Sequence, residues 1–259
     1  MWEQSRCQHV NSMIPKIIHY CWLSGEPIPD AYQAYLLNWK KLMPDYEFLL
    51  WDQKRFDIQS HPWVLEAMTY RKYASASDYI RLHALYEYGG IYLDLDVEVL
   101  KPFDDFLNLP YFIGKEDSVF GFEAATMGAK KNSVWIKKCM DRFEGRRFYR
   151  GWGSFDQKVL PEVIREVVEG KYQILDISVI SEFVADEDVF CRFPTSYFSP
   201  KNWFTKVLTL QEETYSIHHF NNSWKNSKPL PEDLRFRLSR FMEKSGLRRL
   251  NQIPGKQRE

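Results

Sequence analysis

The chain has 259 residues, enough for one large domain with appendages and for a substantial buried core. Hydrophobic residues make up 44% and aromatic residues 16%, which indicates a globular, aromatic-rich protein. Lys and Arg total 35, as do Asp and Glu, so no global positive field attracts nucleic acid, which is not an expected partner.

Cysteine usage and hydropathy limit the expected compartment. The four cysteines form no C-x-x-C pair, so neither a zinc site nor a disulfide framework is expected, and a reducing cytoplasm fits best. Residues 1–12 lack the apolar core of a secretory signal and are interpreted as a tail before Met13. The longest stretch without Asp, Glu, Lys or Arg, 214–224, is too short and too polar to span a bilayer, so a soluble or peripheral cytoplasmic protein is expected.

The first part of the chain alternates predicted strands and helices. An apolar run followed by Ser24-Gly25 predicts a first strand and its exit loop. A helix over 30–43, a strand over 46–52 and a helix over 61–73 follow. This rhythm favours a mostly parallel sheet, and such sheets bind ligands beyond the carboxyl ends of their strands.

The segment 77–102 contains the most informative pattern. Ser75 or Ser77 is predicted to cap a helix that ends at Gly89-Gly90. In the following predicted strand, 91–97, apolar residues alternate with polar ones, so a period of two places Asp94 and Asp96 on one face. Neighbouring carboxylates repel each other unless a positive charge lies between them, and a divalent cation is the obvious candidate. Alternating polar residues on a half-exposed strand are the alternative interpretation.

This segment closely resembles the signature of the family 32 glycosyltransferases, whose sugar-binding region contains a DXD motif, and clostridial glucosylating toxins carry a related stretch. The resemblance rests on Ser77-Asp78-Tyr79-Ile80-Arg81, Gly89-Gly90 and Tyr92-Leu93-Asp94-Leu95-Asp96. It implies an α/β, GT-A-like nucleotide-diphospho-sugar transferase fold, with a single Rossmann-like mixed sheet flanked by helices. The implied catalytic domain spans residues 13–230.

The resemblance also implies roles for individual residues. Trp22 would stack on the nucleotide base, and a core tryptophan is the alternative. Asp94 would reach the ribose or sugar and, with Asp96, hold a metal ion. Mixed oxygen and nitrogen ligands suit Mn²⁺, with Mg²⁺ as a substitute. The remaining implied donor-binding residues are Asp78, Arg81 and Tyr92.

The second half of the chain gives weaker patterns. Short strands are predicted at 111–114, 119–122, 172–175 and 189–193, and helices at 132–143 and from about 155 to 168. The Gly-rich loop 150–157 corresponds to a sugar-facing loop of the family, although Gly153-Ser154 replaces the expected Gly-Pro pair. Asp156 in this loop is a predicted catalytic residue, with a helix cap as the alternative.

Two neighbouring histidines lie on a predicted strand near the end of the chain. Because side chains alternate along a strand, only one of them is expected to reach a given ion. The stretch resembles the closing His-x-x-x-x-Ser-Trp motif of the family, which implies His218 as a metal ligand, with His219 in reserve. Ser223 and Trp224 would then lie near the diphosphate.

The last segment, 231–259, is predicted to be a basic amphipathic helix. From Arg235 onward it contains eight Lys or Arg and two Glu. Such a helix would suit peripheral contact with an anionic membrane, and packing on the domain with a solvated basic face is an equal alternative.

The predicted function is metal-dependent, retaining glycosyl transfer from a UDP-sugar, or a GDP-sugar, to a glycan or lipid-linked glycan, in bacterial surface polysaccharide synthesis. Two alternatives use the same residues. A nucleotide-sugar hydrolase or phosphotransferase would use the carboxylates on another diphosphate, whereas a carbohydrate- or nucleotide-binding module would hold a structural cation without turnover.

Overall fold

A central five-stranded sheet organises the computed structural model, which describes residues 13–151, 154–156 and 158–221. Its strands are β1 (Ile17–Cys21), β2 (Glu47–Trp51), β3 (Gly90–Leu93), β5 (Tyr111–Gly114) and β6 (Glu123–Ala129). The peripheral strands are β4 (Val97–Val99), β7 (Tyr149–Gly151), β8 (Ser154–Phe155), β9 (Gln173–Asp176), β10 (Val189–Arg192) and β11 (Ser216–His218). The helices are α1 (Asp30–Leu42), α2 (Pro62–Thr69), α3 (Tyr73–Tyr88), α4 (Val134–Asp141), α5 (Leu160–Glu169) and α6 (Thr195–Phe198).

The central sheet is mixed. Its order is β2-β1-β3-β6-β5, in which β1 runs parallel to β2 and β3, whereas β6 is antiparallel to β3 and β5. Outside it, β4 pairs with β11, β7 with β8 and β9 with β10. The predicted α/β class with a mixed sheet and flanking helices is confirmed, and the mostly parallel arrangement holds only for the half built from the first βαβ elements.

Helices cover both faces of the sheet because β3 is apolar on both sides. Ile91 and Leu93 pack in one core cluster with Trp39 of α1, whereas Tyr92 between them packs in a second cluster with residues of α2 to α5. All four residues of β3 are buried. The sheet is therefore the middle layer between the helices, and the carboxyl end of β3 leads to residues that line a large cavity.

The end of α3 is set by Gly89-Gly90, as predicted. Gly89 has φ 68° and its N–H donates to the Leu85 carbonyl at 2.9 Å, while a Cβ added to Gly90 would lie 2.6 Å from the Ile17 carbonyl oxygen. Buried His19 stabilises the junction between α3 and β3. Its Nε2 donates to the Gly89 carbonyl at 2.7 Å, and its Nδ1 accepts from Trp51 Nε1 at 3.1 Å. Helix, strand and sheet are thus joined within a few residues of the DXD segment.

Three predictions about secondary structure away from the DXD motif itself are wrong. The helix α3 begins at Tyr73 without a side-chain cap, and the Ser77 hydroxyl donates to the Ala74 carbonyl inside the helix. The residues 119–122 form a turn, in which Gly121 adopts φ 69°. The helix predicted from about 155 begins at Leu160, because residues 154–155 pair in β8 and Pro161 occupies the first helical turn, where proline is favoured.

Several predictions concern residues outside those described, namely the tail 1–12, Ser223, Trp224 and the basic helix 231–259. Within the described part of the chain, no helix has the length and apolarity required to cross a bilayer.

The buried His61 predicts a specific acid sensitivity. Its ring stacks on Tyr79 at 3.8 Å, and neither ring nitrogen has a hydrogen-bond partner among the described residues. Burial lowers the pKa of His61 from 6.5 to about 4. As the pH falls from 6.5 to about 4, His61 is protonated in the unfolded chain before it is protonated in the folded one. The free energy of unfolding therefore decreases, by up to roughly 3 kcal/mol.

We expect His61→Phe to remove this part of the acid sensitivity and to stabilise the protein at pH 7, because the ring still packs and no unpaired polar atom is buried. Urea unfolding between pH 4 and 7 would measure both effects. The control His61→Gln also removes the titration but retains a buried polar group, so it should bring no gain at pH 7. Equal acid sensitivity in wild type and His61→Phe would contradict the prediction.

Candidate active site

A cavity of about 1140 Å³ lies at the carboxyl ends of β1 and β3. Trp22 follows β1 and Asp94 follows β3, and both line it, together with the first turn of α3 and His218 at the end of β11. Parallel strands that end together place their following residues at one edge of the sheet, which is where open α/β sheets bind ligands. The DXD segment therefore meets the cavity at the centre of the fold.

The two aspartates lie on a turn and not on one continuous strand as predicted. β3 ends at Leu93, and the turn is closed by a hydrogen bond from the Val97 N–H to the Asp94 carbonyl at 3.0 Å. The Asp94 N–H donates to the Ala125 carbonyl of β6 at 2.9 Å. β4 then leaves the central sheet to pair with β11, so the chain direction changes between the two carboxylates.

The pairing of β4 with β11 brings His218 to the DXD turn. His218 lies opposite Val97 in the antiparallel register, and its Nε2 is 3.7 Å from Oδ1 of Asp96. One ligand atom each from Asp94, Asp96 and His218 lie within 4.8 Å of one another. Two ligands about 2.1 Å from one cation lie at most about 4.2 Å apart, so the Asp96–His218 distance fits a shared divalent ion.

His219 points away from this group, in agreement with the predicted alternation along the strand. Its Nε2 lies 2.8 Å from Oε2 of Glu98, and its ring stacks on Tyr35 at 5.5 Å. Its backbone N–H donates to the Asp96 carbonyl, so it supports the turn through the main chain only. The geometry therefore favours His218 and disfavours the reserve ligand.

Sequence analysis missed Glu123, a fully buried carboxylate beside His218. His218 Nδ1 donates to Oε2 of Glu123 at 3.4 Å, and the carboxylate also accepts the Ala125 N–H at 2.6 Å. A carboxylate in this position selects the imidazole tautomer and directs the other ring nitrogen to a metal. The available signal was an isolated Glu among small and apolar residues, 122–129.

The buried acids around His218 influence one another. Burial lowers the pKa of His218, but the carboxylates of Glu123 and Asp96 outweigh this effect and raise the pKa to about 9. Burial, reinforced by the charge of Glu123, raises the pKa of Glu116 to about 8. The site is thus a low-dielectric pocket rich in acids, an environment that favours a bound cation.

Arg81 is buried and holds Asp94 in place. Its guanidinium lies 3.2 Å from Oδ1 and 3.3 Å from Oδ2 of Asp94, donates to the Ala124 carbonyl at 2.6 Å and lies 4.4 Å from the centre of the Tyr92 ring. The Tyr92 hydroxyl donates to Oδ1 of Asp94 at 2.9 Å. Both residues line the cavity, and their contacts favour positioning of the first aspartate of the motif.

Asp78 completes this buried cluster one turn earlier on α3. One of its carboxylate oxygens is 3.5 Å from the Arg81 guanidinium, as the i,i+3 spacing predicts, and the other accepts the Leu160 N–H at 3.2 Å. Burial raises the pKa of Asp78 to about 6, although the charge of Arg81 opposes the shift. Asp78 therefore ties α3 to the start of α5 beside the cavity.

Trp22 forms part of the cavity wall and is only half-buried. Its indole Nε1 donates to the Glu26 carbonyl at 2.6 Å, and its ring meets Tyr32 edge-on at 6.1 Å. The ring orientation is therefore held on two sides. This placement is compatible with the predicted base stacking and differs from that of a fully buried core tryptophan.

Asp156 has the contacts of a structural ion pair. Its buried carboxylate pairs with Arg146 and, at 2.6 Å, with Arg150, and its other oxygen accepts the Lys158 N–H at 3.0 Å. Burial raises the pKa of Asp156, but the two arginines outweigh it and keep the pKa below its usual value. Asp156 lines the cavity, yet both of its oxygens are engaged, so the geometry does not favour the predicted catalytic role.

A mixed α/β sheet with an Asp-x-Asp turn and a histidine beside a large cavity is the arrangement that the DXD resemblance implies. The family described as "Glycosyltransferase sugar-binding region containing DXD motif" matches residues 29–113. This match covers about a third of the chain. The mixed α/β sheet with flanking helices agrees with the fold class that the sequence predicts.

Individual proteins of known sequence or structure are also similar. Inositol phosphoceramide mannosyltransferase 3 of Schizosaccharomyces pombe is 35% identical over 49% of this chain and 36% of its own length. Mannosyl phosphorylinositol ceramide synthase CSH1 of Saccharomyces cerevisiae is 36% identical over 54% of this chain and 37% of its own length. The matches thus span little more than a third of these relatives. The solved PaToxG glycosyltransferase is 22% identical over 60% of this chain and 68% of its own, with a TM-score of 0.47.

Proposed function

We propose that this protein transfers a sugar from a nucleotide-diphosphate donor to a glycan or lipid-linked acceptor. The observation that carries the proposal is the convergence of Asp94, Asp96 and His218 at the carboxyl end of β3, beside the cavity. These residues offer two carboxylates and an imidazole, which suit Mn²⁺, with Mg²⁺ as a substitute. The residues around them are arranged to keep these groups in place.

Transfer requires that a diphosphate leave while it gains negative charge. A divalent cation bound by Asp94, Asp96 and His218 would neutralise that charge, which is larger in the transition state than in the ground state. Arg81 holds both oxygens of Asp94, and Glu123 orients His218 from behind. The nucleotide base would lie against Trp22, at the end of the neighbouring strand β1.

We further propose that the anomeric configuration is retained through front-face attack. Asp156, the carboxylate predicted to act in catalysis, is held by two arginines and a backbone N–H, which leaves it poorly suited as a nucleophile. In front-face attack the departing diphosphate itself assists removal of the acceptor proton. The chain then contributes the orientation of donor and acceptor and no covalent intermediate.

The donor and acceptor classes are supported by the names of the relatives. One of them is named an inositol phosphoceramide mannosyltransferase and the other a mannosyl phosphorylinositol ceramide synthase. Such names support a hexose donor and a lipid-linked acceptor for this chain. The preference for UDP over GDP, the role in bacterial surface polysaccharide synthesis and the location on the inner face of the membrane stay predictions.

The direct test is a screen of UDP- and GDP-sugars with Mn²⁺ for slow donor hydrolysis, which requires no knowledge of the acceptor. Addition of lipid-linked and free glycans would then convert hydrolysis into transfer. Release of free sugar that no acceptor changes would instead indicate a hydrolase. Cation-stabilised folding without donor consumption would indicate a binding module.

The adjacent histidines provide a matched pair of variants. His218→Ala should lower Mn²⁺-dependent donor turnover by about a hundredfold or more, whereas His219→Ala should change it by less than about threefold, because only His218 faces the carboxylates. Turnover measured across Mn²⁺ concentrations would separate loss of metal affinity from loss of rate. Equal effects of the two variants would contradict the proposed ligand set.

A further inference from the structure

A hairpin at the mouth of the cavity displays apolar side chains on a hydrogen-bonded backbone. The aromatic hairpin, residues 201–210, is closed by an antiparallel bridge between Lys201 and Leu208. The Asn202 N–H donates to the Val207 carbonyl at 2.8 Å. The Asn202 side-chain oxygen accepts the N–H groups of Phe204 and Thr205 at 3.0 and 2.8 Å. The tip is therefore held by its own hydrogen bonds, independently of its apolar side chains.

Every residue from 203 to 210 is exposed. Five of these eight residues are large and apolar, namely Trp203 (38% exposed), Phe204 (68%), Val207 (59%), Leu208 (43%) and Leu210 (54%). Scattered surface hydrophobics are ordinary in soluble proteins, but five on one short hairpin concentrate exposed apolar side chains in one place. A hydrogen-bonded backbone that holds apolar side chains outward is typical of a surface that binds another molecule.

The aromatic hairpin is continuous with the proposed active site. Trp203 and Phe204 line the cavity, as does Val119, which is 77% exposed on the facing turn. The Asn202 side-chain amide donates to Asp117 at 3.0 Å and ties the hairpin to that turn. Whatever covers the hairpin must therefore also approach the mouth of the cavity.

The charges of the hairpin indicate what covers it. Lys201 and Lys206 are the charged residues between 200 and 211, and both are positive. Lys206 Nζ lies 5.5 Å from the centre of the Trp203 ring, so a cation and an aromatic ring lie side by side. Exposed aliphatic side chains beside a tryptophan and a lysine match the boundary between acyl chains and anionic headgroups.

We propose that the aromatic hairpin inserts into the interface of an anionic membrane and holds the cavity mouth at the level of the headgroups. This inference rests on the proposed transfer to a lipid-linked acceptor and specifies how that acceptor reaches the site. The lipid tail stays in the bilayer beside Val207 and Leu210, while the headgroup enters the cavity past Trp203 and Phe204.

Co-sedimentation of the full chain with phosphatidylcholine vesicles, with and without phosphatidylserine, tests the proposal. Val207→Ser/Leu210→Ser should weaken binding to the mixed vesicles by about tenfold or more. The control Leu37→Ser/Val134→Ser removes two aliphatic side chains on α1 and α4 that are more exposed than Val207 and Leu210, and it should bind as the wild type does. Lys206→Gln should reduce the dependence on phosphatidylserine.

The same variants separate this inference from the proposed function. Val207 and Leu210 do not line the cavity, so Mn²⁺-dependent donor hydrolysis without vesicles should be unchanged in their double variant. Absence of hydrolysis in the wild type would overturn the proposed function, whatever the vesicle result.

Vesicle binding that the hairpin variant leaves intact, or that the control variant lowers equally, would overturn the membrane proposal. Sedimentation velocity without lipid adds a further outcome. A dimer that the hairpin variant converts into a monomer, with no vesicle binding, would assign the patch to a second copy of the chain.

Discussion

Replacement of Asp96 by asparagine should abolish Mn²⁺-dependent donor turnover, with a loss of at least about a hundredfold. Asp96 contributes a negative oxygen 3.7 Å from His218 Nε2, and its other oxygen accepts the Asn221 N–H at 2.8 Å. Asparagine is nearly isosteric and keeps an acceptor for that N–H, so the turn should persist. The charge that a divalent cation requires is lost.

Two measurements make this prediction specific. Turnover of UDP- and GDP-sugars should vanish in Asp96→Asn, and the shift in melting temperature with UDP or GDP should no longer depend on Mn²⁺. The melting temperature without ligands should stay close to that of the wild type. Asp141→Asn, on the exposed end of α4, is the matched control and should behave as the wild type does. Full activity in Asp96→Asn would refute the assignment of the metal site.

Replacement of Arg81 by methionine should destabilise the protein by about 3–5 kcal/mol, because it leaves the carboxylates of Asp78 and Asp94 buried without their cation. The stability of Arg81→Lys should lie between those of the wild type and Arg81→Met. An ammonium keeps the charge but cannot bind both oxygens of Asp94 as a planar guanidinium does. Urea unfolding at pH 7 would measure the difference. Arg142→Met, at an exposed position, should change stability by less than about 0.5 kcal/mol.

The pH dependence of the stability deficit, which is the loss of unfolding free energy in Arg81→Met, identifies its cause. Arg81 lowers the pKa of Asp78, which is already raised to about 6 by burial, so its removal raises that pKa further. A folded-state pKa above the unfolded one means that the folded protein binds more protons as the pH falls. The deficit should therefore shrink between pH 7 and pH 5. A deficit that is constant with pH would instead indicate lost packing.

Local sequence patterns sufficed for much of this fold. Gly89-Gly90 ended a helix, and the alternation from Ile91 onward predicted a strand, of which the structure buries both faces. These features depend on neighbours in the chain, because backbone conformation and side-chain direction repeat with a fixed period. The family resemblance in the same stretch then indicated the two aspartates as candidate metal ligands and glycosyl transfer as the predicted activity.

The site itself depended on contacts between distant residues. The DXD residues form a turn because Val97–Val99 pairs with β11 and not with the central sheet, and no local period encodes that choice of partner. The same pairing decides that His218 faces Asp96 and that His219 faces Glu98. It also places Glu123 of β6 behind His218, a contact that a single buried acid in the sequence did not reveal.

The sequence by itself therefore determined the helix and strand around the DXD motif and the position of the two aspartates, since these are local properties of the chain. The tertiary structure decided which histidine joins the aspartates and that Arg81 holds Asp94. It also decided that Asp156 is bound by two arginines and that the aromatic hairpin borders the cavity. Each of these depends on strand pairing or burial between residues far apart in the chain, where the free energy comes from contacts that only the folded protein makes.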